Sequence, residues 1–149
     1  MIQEERINNW IKSYNGNGYL SGSILIASKE KILLNRGFGM ANREHKVPNT
    51  PTTKFRIGSI TKSFTAMGIL QLHEKQKLNI DDCVNQYIPN YPNGNRITIY
   101  HCLTHTSGIP NYTSFPDYWS RTMRLPSTLN QLIDSFKERE LDCEPGSSF

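Results

Sequence analysis

Residues 54–66 read KFRIGSITKSFTA, and this stretch decides how the rest of the chain is interpreted. Its first part predicts a short extended segment. From Ser59 to about Leu72 the apolar residues then cover most of the surface of a predicted helix. Because a helix that is apolar nearly all round is normally buried, we expect this helix to be central, with Ser59 in its first turn.

Ser59 and Lys62 form a candidate catalytic pair. Three residues apart on a helix, their side chains project from one face and can meet. The serine hydroxyl would lie near unpaired backbone N–H groups and the positive end of the helix dipole. Lysine is a general base only when neutral, and lowering its pKa from about 10.4 to about 7 corresponds to roughly 4 kcal/mol. Burial is the strongest cause of such a decrease, because it disfavours the charged form. The pair suits nucleophilic acyl transfer; the alternative is a helix N-cap serine beside a solvated lysine.

A second pair, Ser28 and Lys31, has the same spacing in a different setting. It lies in a polar turn between two β-branched runs, residues 23–27 and 32–38, which together predict a β-hairpin. Nothing in such a turn would desolvate the lysine or present the serine to a substrate. Context therefore favours Ser59, and the spacing alone is a weak signal.

The remaining elements follow from periodicity and from breaker residues. A single buried helix stripe is predicted for Ile7, Trp10, Ile11 and Tyr14. The first strand of the hairpin is apolar on both faces, so we expect both to be covered. The other predicted segments are a polar connection over 42–53, short helices over 81–88 and 98–104, a packed loop over 112–124, and a helix containing Leu129 and Phe136 with Ser127 as its N-cap.

Composition excludes several classes of protein. The chain has 149 residues, enough for one domain, and its net charge of +4 is scattered without a basic cluster, which does not indicate nucleic-acid binding. No stretch resembles a transmembrane helix or a signal peptide, so we expect a cytoplasmic protein, or one of the cell envelope or exterior if a leader has been removed. Cys83, Cys102 and Cys143 are odd in number and far apart, which favours free thiols in packed positions.

Four segments resemble one known family. Residues 54–66 closely resemble the nucleophile segment of the serine β-lactamase and penicillin-binding-protein (DD-peptidase) superfamily, on its class C-like branch. Three further segments match that family in the same order: GFGMAN at 37–42, LNIDD at 78–82 followed by YIP at 87–89, and ITIYHCLTHTSGIP at 97–110. The matches extend over nearly the whole chain.

The resemblance implies an α/β (α+β) fold, in which an antiparallel sheet is flanked by helices and joined to a mostly helical lobe, with the active site between them. Residues 1–149 would be the N-terminal portion of this single β-lactamase-like domain. The implied reaction is formation of an acyl-enzyme on Ser59 with the help of Lys62, from a small-molecule or peptide substrate: a β-lactam, a D-Ala-D-Ala peptide or an ester. No cofactor and no metal are implied.

Two motifs of the family are not identified in the sequence. One is a Tyr-x-Asn motif, and residues 141–149 resemble the segment that comes just before it in the family. The other is a late Lys- or His-containing triplet that ends in Gly. We therefore expect the chain to stop before the fold and the site are complete and to be inactive by itself. The alternatives are a non-catalytic remnant, a binding module, or an enzyme completed by a separate C-terminal fragment.

Other candidate residues carry weaker arguments. Tyr112 follows the segment ending in Pro110 and resembles the place where class C enzymes set a side chain against the acyl group, so we predict it to contact substrate; the alternative is loop packing against Phe115 and Trp119. His101 and His105 have the i, i+4 spacing of two metal ligands, but neither the adjacent glutamate of a metalloprotease motif nor a third ligand accompanies them. Trp10, Tyr14 and Phe136 are assigned to the core, and Cys102 to a buried apolar position.

Overall fold

The computed structural model describes residues 2–16, 18–29 and 31–149, while the side chains of residues 2–4 and 15 lie outside the description. The chain divides into two compact units, Met1–Ile57 and Gly58–Phe149. The first unit contains the antiparallel strands, and the regular elements of the second unit are helices and 3₁₀ turns. The predicted mixed α/β composition, with small antiparallel sheets and helices, is confirmed.

The first unit begins with helix α1 (Ile2–Asn15), followed by strands β1 (Gly22–Ser28) and β2 (Lys31–Phe38). The two strands are antiparallel, with Gly22 opposite Phe38, and the register shifts between Ile26 and Ala27. The predicted hairpin is confirmed, although Glu30 of its turn lies outside the described residues. A second pair, β3 (Met40–Asn42) with β4 (Val47–Pro48), was not predicted, because Pro48 and the polar residues around it indicate a connection.

The burial of the first unit differs from the prediction at two places. Ile11 is buried at 4% exposure, but Trp10 (62%) and Tyr14 (47%) are exposed and pack against each other, with ring centroids 4.8 Å apart. In β1, Leu25 is 62% exposed, so the expected cover on both faces of the strand is wrong. Period and spacing define an apolar stripe, but only the neighbouring elements determine how much of it is covered.

The end of β2 is held by Asn49, a buried polar residue. Its side-chain amide donates to the Phe38 carbonyl oxygen at 2.7 Å, and its backbone N–H donates to the Gly39 carbonyl oxygen at 3.0 Å. Gly37 allows this approach, since a Cβ at that position would lie 2.1 Å from the Asn49 carbonyl oxygen. The segment after β4 is thereby tied to β2.

The second unit starts with a short 3₁₀ turn (Gly58–Ile60) that leads into helix α2 (Thr61–Glu74). Helix α3 (Ile99–Leu103) confirms the short helix predicted over 98–104, and helix α4 (Leu129–Asp134) the helix predicted near Leu129. The N-cap of α4 is Thr128 rather than Ser127: its hydroxyl accepts from the Gln131 backbone N–H, and the Gln131 side-chain oxygen accepts from the Thr128 backbone N–H. The helix predicted over 81–88 is only a 3₁₀ turn, Val84–Gln86, and the packed loop contains two more, Tyr112–Ser114 and Thr122–Arg124.

The core of the second unit is formed by Val84, Tyr91 and Ile97, and Ile97 is fully buried. Later residues pack around this cluster, namely Ile109, Ile133, Phe136 and Leu141. The predicted assignment of Phe136 to the core is thus confirmed in part: it packs on the cluster without being fully buried.

Helix α2 contains no buried residue, so its predicted position as a central buried helix is wrong for this chain. Phe64 is 70% exposed, Met67 57% and Leu70 43%. The apolar surface that suggested burial is present, and within the second unit no other element buries it. In water such a surface costs roughly 25 cal/mol per Å² relative to a buried one.

Candidate active site

The structure brings Ser59 and Lys62 into direct contact. Ser59 lies in the 3₁₀ turn and Lys62 in the first turn of α2, and the Lys62 Nζ donates to the Ser59 Oγ at 3.0 Å. Gly58, with φ of +53°, supplies the left-handed backbone that turns the chain into the helix at this point. The predicted proximity of the two side chains is confirmed, and their roles stay a prediction.

The surroundings of the pair are more open than the sequence predicts. Ser59 and Lys62 are both exposed, whereas the sequence predicts a buried helix around them. Ile60, the residue that caps α2, makes no side-chain capping bond. Free backbone N–H groups at this helix start therefore remain near the Ser59 hydroxyl.

Ser59 and Lys62 line a cavity of about 940 Å³ whose lining residues all belong to the second unit. Its apolar and aromatic lining comes from the segments after α3 and from the residues around and after α4: Ile109, Pro110, Tyr112, Trp119, Phe136 and Phe149. Polar lining comes from Ser107, Asn111 and Thr113 together with His105. A volume of this size is typical of a small-molecule site.

Tyr112, the predicted substrate contact, lies in this cavity within a cluster of rings. Its ring stacks on Phe136 with centroids 5.7 Å apart and planes 15° apart, and it meets Tyr118 edge-on at 5.4 Å. Removal from water raises the pKa of the Tyr112 hydroxyl above its ordinary value, and Tyr118 adds to the shift. Tyr112 thus packs within its unit, on partners other than the predicted Phe115 and Trp119, and still lines the cavity.

Residues 106–110, which include part of the cavity lining, are hydrogen-bonded to residues 142–146. The Asp142 N–H donates to the Gly108 carbonyl oxygen at 2.8 Å, and the Gly146 N–H donates to the Thr106 carbonyl oxygen at 2.7 Å. Gly108 has φ of +72°, and a Cβ there would lie 2.1 Å from the Cys143 carbonyl oxygen. Only glycine allows this approach, which positions Ile109 and Pro110 beside the cavity.

Sequence reasoning missed several residues of this site. Trp119 and Phe136 line the cavity, although spacing assigned Phe136 to the core alone. Cys102 opens into the same cavity, so it is not the fully buried residue predicted, although the protein around it raises the pKa of its thiol. Only the folded chain joins these positions, because they lie on separate segments.

One literal match to the Tyr-x-Asn pattern, Tyr91-Pro92-Asn93, was also overlooked. Tyr91 is 7% exposed, belongs to the core cluster with Val84 and Ile97, and does not line the cavity. Its position is that of a structural residue. The match shows how little three letters specify without their surroundings.

The described part of the chain shows no group of three His, Cys, Asp or Glu side chains placed to hold a metal ion. His101 serves the cap of α3, where its Nδ1 accepts from the Thr98 backbone N–H at 3.3 Å, and the His105 ring packs edge-on against Phe149. Within the same residues, no helix is both long and apolar enough to cross a lipid bilayer.

Comparison with known sequences identifies relatives of this chain. It is 43% identical over 107 residues to the putative penicillin-binding protein PbpX of Bacillus subtilis, a match that covers 72% of this chain and 26% of that protein. It is 39% identical over 139 residues to protein flp of Staphylococcus aureus, covering 89% of this chain and 27% of the relative. The chain thus spans about a quarter of the length of these relatives.

Solved structures agree with the sequence matches. A penicillin-binding protein from Bacillus halodurans superposes with a TM-score of 0.80 at 35% identity, over 92% of this chain and 42% of that one. A class C beta-lactamase in complex with cefoxitin shares the fold with a TM-score of 0.74 at 22% identity, over 97% of this chain and 40% of that one. The beta-lactamase family model matches residues 7–149, and the chain belongs to this family.

Proposed function

We propose that this chain carries the nucleophile of a serine hydrolase of the penicillin-recognising type, with Ser59 attacking an ester or amide carbonyl and Lys62 accepting its proton. The observation that carries the proposal is the 3.0 Å contact between the Lys62 Nζ and the Ser59 Oγ at the edge of a substrate-sized cavity. A base within hydrogen-bond reach of a nucleophile is the arrangement that this chemistry needs. Attack forms an acyl-enzyme and expels the leaving group, and water then releases the acyl group.

Substrates of this class include β-lactams, D-Ala-D-Ala peptides and simple esters. Tyr112 lies in the same cavity as Ser59, which supports its role as a contact for the acyl group. The Ser59 backbone N–H is one donor for the oxyanion, and a single donor of this kind is worth about 3–4 kcal/mol in other serine hydrolases. Family membership together with the site geometry supports acyl transfer over a binding module without turnover.

The test of this proposal is covalent labelling of the 149-residue chain with a fluorophosphonate, which reacts with activated serines. We expect one adduct per chain, placed on Ser59 by peptide mass mapping. Ser59→Ala should abolish the adduct. Ser28→Ala is the matched control and should leave it unchanged. Labelling that survives in Ser59→Ala, or that maps to another serine, would refute the assignment.

We further propose that the chain alone is inactive as a hydrolase and does not turn over substrate. Lys62 is exposed and α2 has no buried residue, so water reaches the site and the apolar surface beside it. The relatives contain further residues beyond the part that this chain matches. A polypeptide that corresponds to those residues would be the partner that covers this surface. Nitrocefin hydrolysis by the chain that disappears in Ser59→Ala would overturn this view.

A further inference from the structure

We propose that the second unit contains a further binding site, a polar pocket formed by residues 73–87 that takes a free amino acid in its zwitterionic form. Lys77 would pair with the carboxylate of the ligand and Asp82 with its ammonium group. The pocket has a volume of about 420 Å³ and lies at the C-terminal end of α2. It shares no lining residue with the cavity that Ser59 and Lys62 line, so the inference does not depend on the proposed acyl transfer.

The first argument is that two opposite charges line this pocket without pairing with each other. Lys77 and Asp82 both belong to the lining. Neither residue takes part in the ion pairs found among the described residues. A ligand that carries one negative and one positive group can form a charge-assisted hydrogen bond with each of them. An anion alone would leave Asp82 without a partner, and a cation alone would leave Lys77 without one.

The second argument is that the Asp82 carboxylate is already oriented. Its Oδ2 accepts from the Tyr87 hydroxyl at 2.6 Å and from the Asn79 backbone N–H at 2.8 Å. The bond from Tyr87, followed by that from Asn79, lowers the pKa of Asp82, so the carboxylate is charged at neutral pH. Both bonds end on Oδ2, and within the described part of the chain Oδ1 accepts no hydrogen bond. An ammonium group that binds Oδ1 therefore orders little that is not ordered already.

The third argument is the polar character of the remaining lining. The His73 Nδ1 accepts from the Ile80 backbone N–H at 3.4 Å, so in the neutral ring the proton is on Nε2, which is a donor. Gln76 and Asn79 add side-chain amides, and Leu78 is the aliphatic residue of the lining. An apolar ligand would leave these groups unpaired, which is unfavourable. The volume falls within the range of small-molecule sites.

A metal ion fits this pocket less well than an amino acid does. The described residues contain no group of three His, Cys, Asp or Glu side chains placed to hold a metal ion. The proton that the Ile80 N–H bond places on the His73 Nε2 also occupies the nitrogen that would have to bind the metal. The ammonium group of Lys77 would repel a cation. The combination of a cation, a carboxylate and neutral amides therefore favours a zwitterion.

The experiment titrates the full 149-residue chain at pH 7 with three probes and follows the backbone amide signals by NMR. The probes are L-alanine, N-acetyl-L-alanine, which lacks the ammonium group, and L-alaninamide, which lacks the carboxylate. We expect alanine to shift signals of residues 73–87 and to bind roughly 5-fold more tightly than either analogue, the ratio that one exposed ion pair supplies. Absence of shifts in this stretch, or an analogue that binds as tightly as alanine, would overturn the inference.

Variants assign each charge of the ligand to a residue. In Lys77→Met alanine should bind no more tightly than alaninamide, and in Asp82→Asn no more tightly than N-acetylalanine. Lys75→Met is the matched control: this lysine is exposed, does not line the pocket, and should leave both ratios unchanged. If Asp82→Asn fails to fold, Lys77→Met still decides the question, because Lys77 is exposed and its ammonium group bonds to no described residue. A preference for alanine over alaninamide that survives in Lys77→Met would refute the assignment.

The inference and the proposed function fail in different ways. Ser59→Ala should leave the affinity for alanine unchanged, since Ser59 does not line this pocket. Alanine binding in a chain that fluorophosphonate does not label on Ser59 would refute the proposed nucleophile alone. Labelling on Ser59 in a chain that does not bind alanine would refute the amino-acid site alone.

Discussion

The chain contains two Ser-x-x-Lys segments, Ser28–Lys31 and Ser59–Lys62, and the structure gives them different backbones. Ser28 ends β1 and Lys31 begins β2, so the two are register partners across the hairpin. Ser59 lies in a 3₁₀ turn and Lys62 in the helix that follows. Either backbone places a serine and a lysine near each other, so proximity alone does not distinguish the segments.

Burial does not distinguish them either, because all four residues are exposed. The difference is in the neighbours. Ser28 lines a shallow space of about 350 Å³ together with Arg6, Ile7 and Leu33. Ser59 lines the cavity of about 940 Å³, whose lining includes the aromatic rings of Tyr112, Trp119 and Phe136. A candidate nucleophile is therefore recognised by the space and the side chains beside it.

The largest effect is expected from removing the two lysines separately. Lys62→Ala should slow the labelling of Ser59 by about 10²–10⁴-fold, because it removes the group that accepts the serine proton. Lys31→Ala should leave the rate unchanged. The rates are measured by stopped time points of fluorophosphonate labelling, with circular dichroism to confirm that both variants fold. Equal rates in the two variants would remove the distinction between the segments.

The second effect concerns residues 106–110, the segment beside the cavity that Ser59 lines and Ser28 does not. Gly108→Ala should destabilise the protein by about 2–4 kcal/mol, because it places a side chain in left-handed backbone and against the Cys143 carbonyl. Urea unfolding measures the change in the free energy of unfolding. Gly68→Ala is the matched control: nothing lies within 4 Å of its added Cβ, and an alanine inside α2 should stabilise by up to about 1 kcal/mol. A neutral Gly108→Ala would show that this segment is not held as described.

The smallest effect involves neither serine and tests the hydrogen bonds of the second unit. Tyr87 donates to the Asp82 Oδ2 at 2.6 Å and the Asn79 backbone N–H to the same oxygen at 2.8 Å, and these bonds lower the pKa of Asp82 from its ordinary 3.8. Since the pKa of this carboxyl is lowered on folding, the stability it contributes is present above pH 3.8 and is lost as the pH falls below that value.

Tyr87→Phe should therefore raise the pKa of Asp82 and reduce the loss of stability on acidification. Carboxyl NMR titration measures the first, and unfolding at a series of pH values measures the second. Tyr19→Phe, at a side chain 82% exposed in the other unit, is the control. An Asp82 pKa that does not move in Tyr87→Phe would mean that the bond to Tyr87 does not form in solution.

Signals within short segments predict much of the local structure. The hairpin, helices α2 and α3 and the approach of Lys62 to Ser59 follow from alternation, periodicity and a three-residue spacing, which act over a few residues. The family also follows from sequence, because its segments are contiguous. Ser127 and Thr128 are both suitable N-cap residues for α4, and Thr128 is the cap in the structure. Gln131 lies three residues after Thr128, and the two residues form a capping box.

Contacts between distant segments determine which apolar residues are covered and which meet at the site. Phe64 and Ile97 are both apolar residues in patterned segments, yet one is 70% exposed and the other fully buried. Phe136 and Trp119 share a cavity with Ser59 although they come from distant parts of the chain. Periodicity states that a face is apolar and cannot state what lies against it, because burial depends on contacts between segments far apart in sequence.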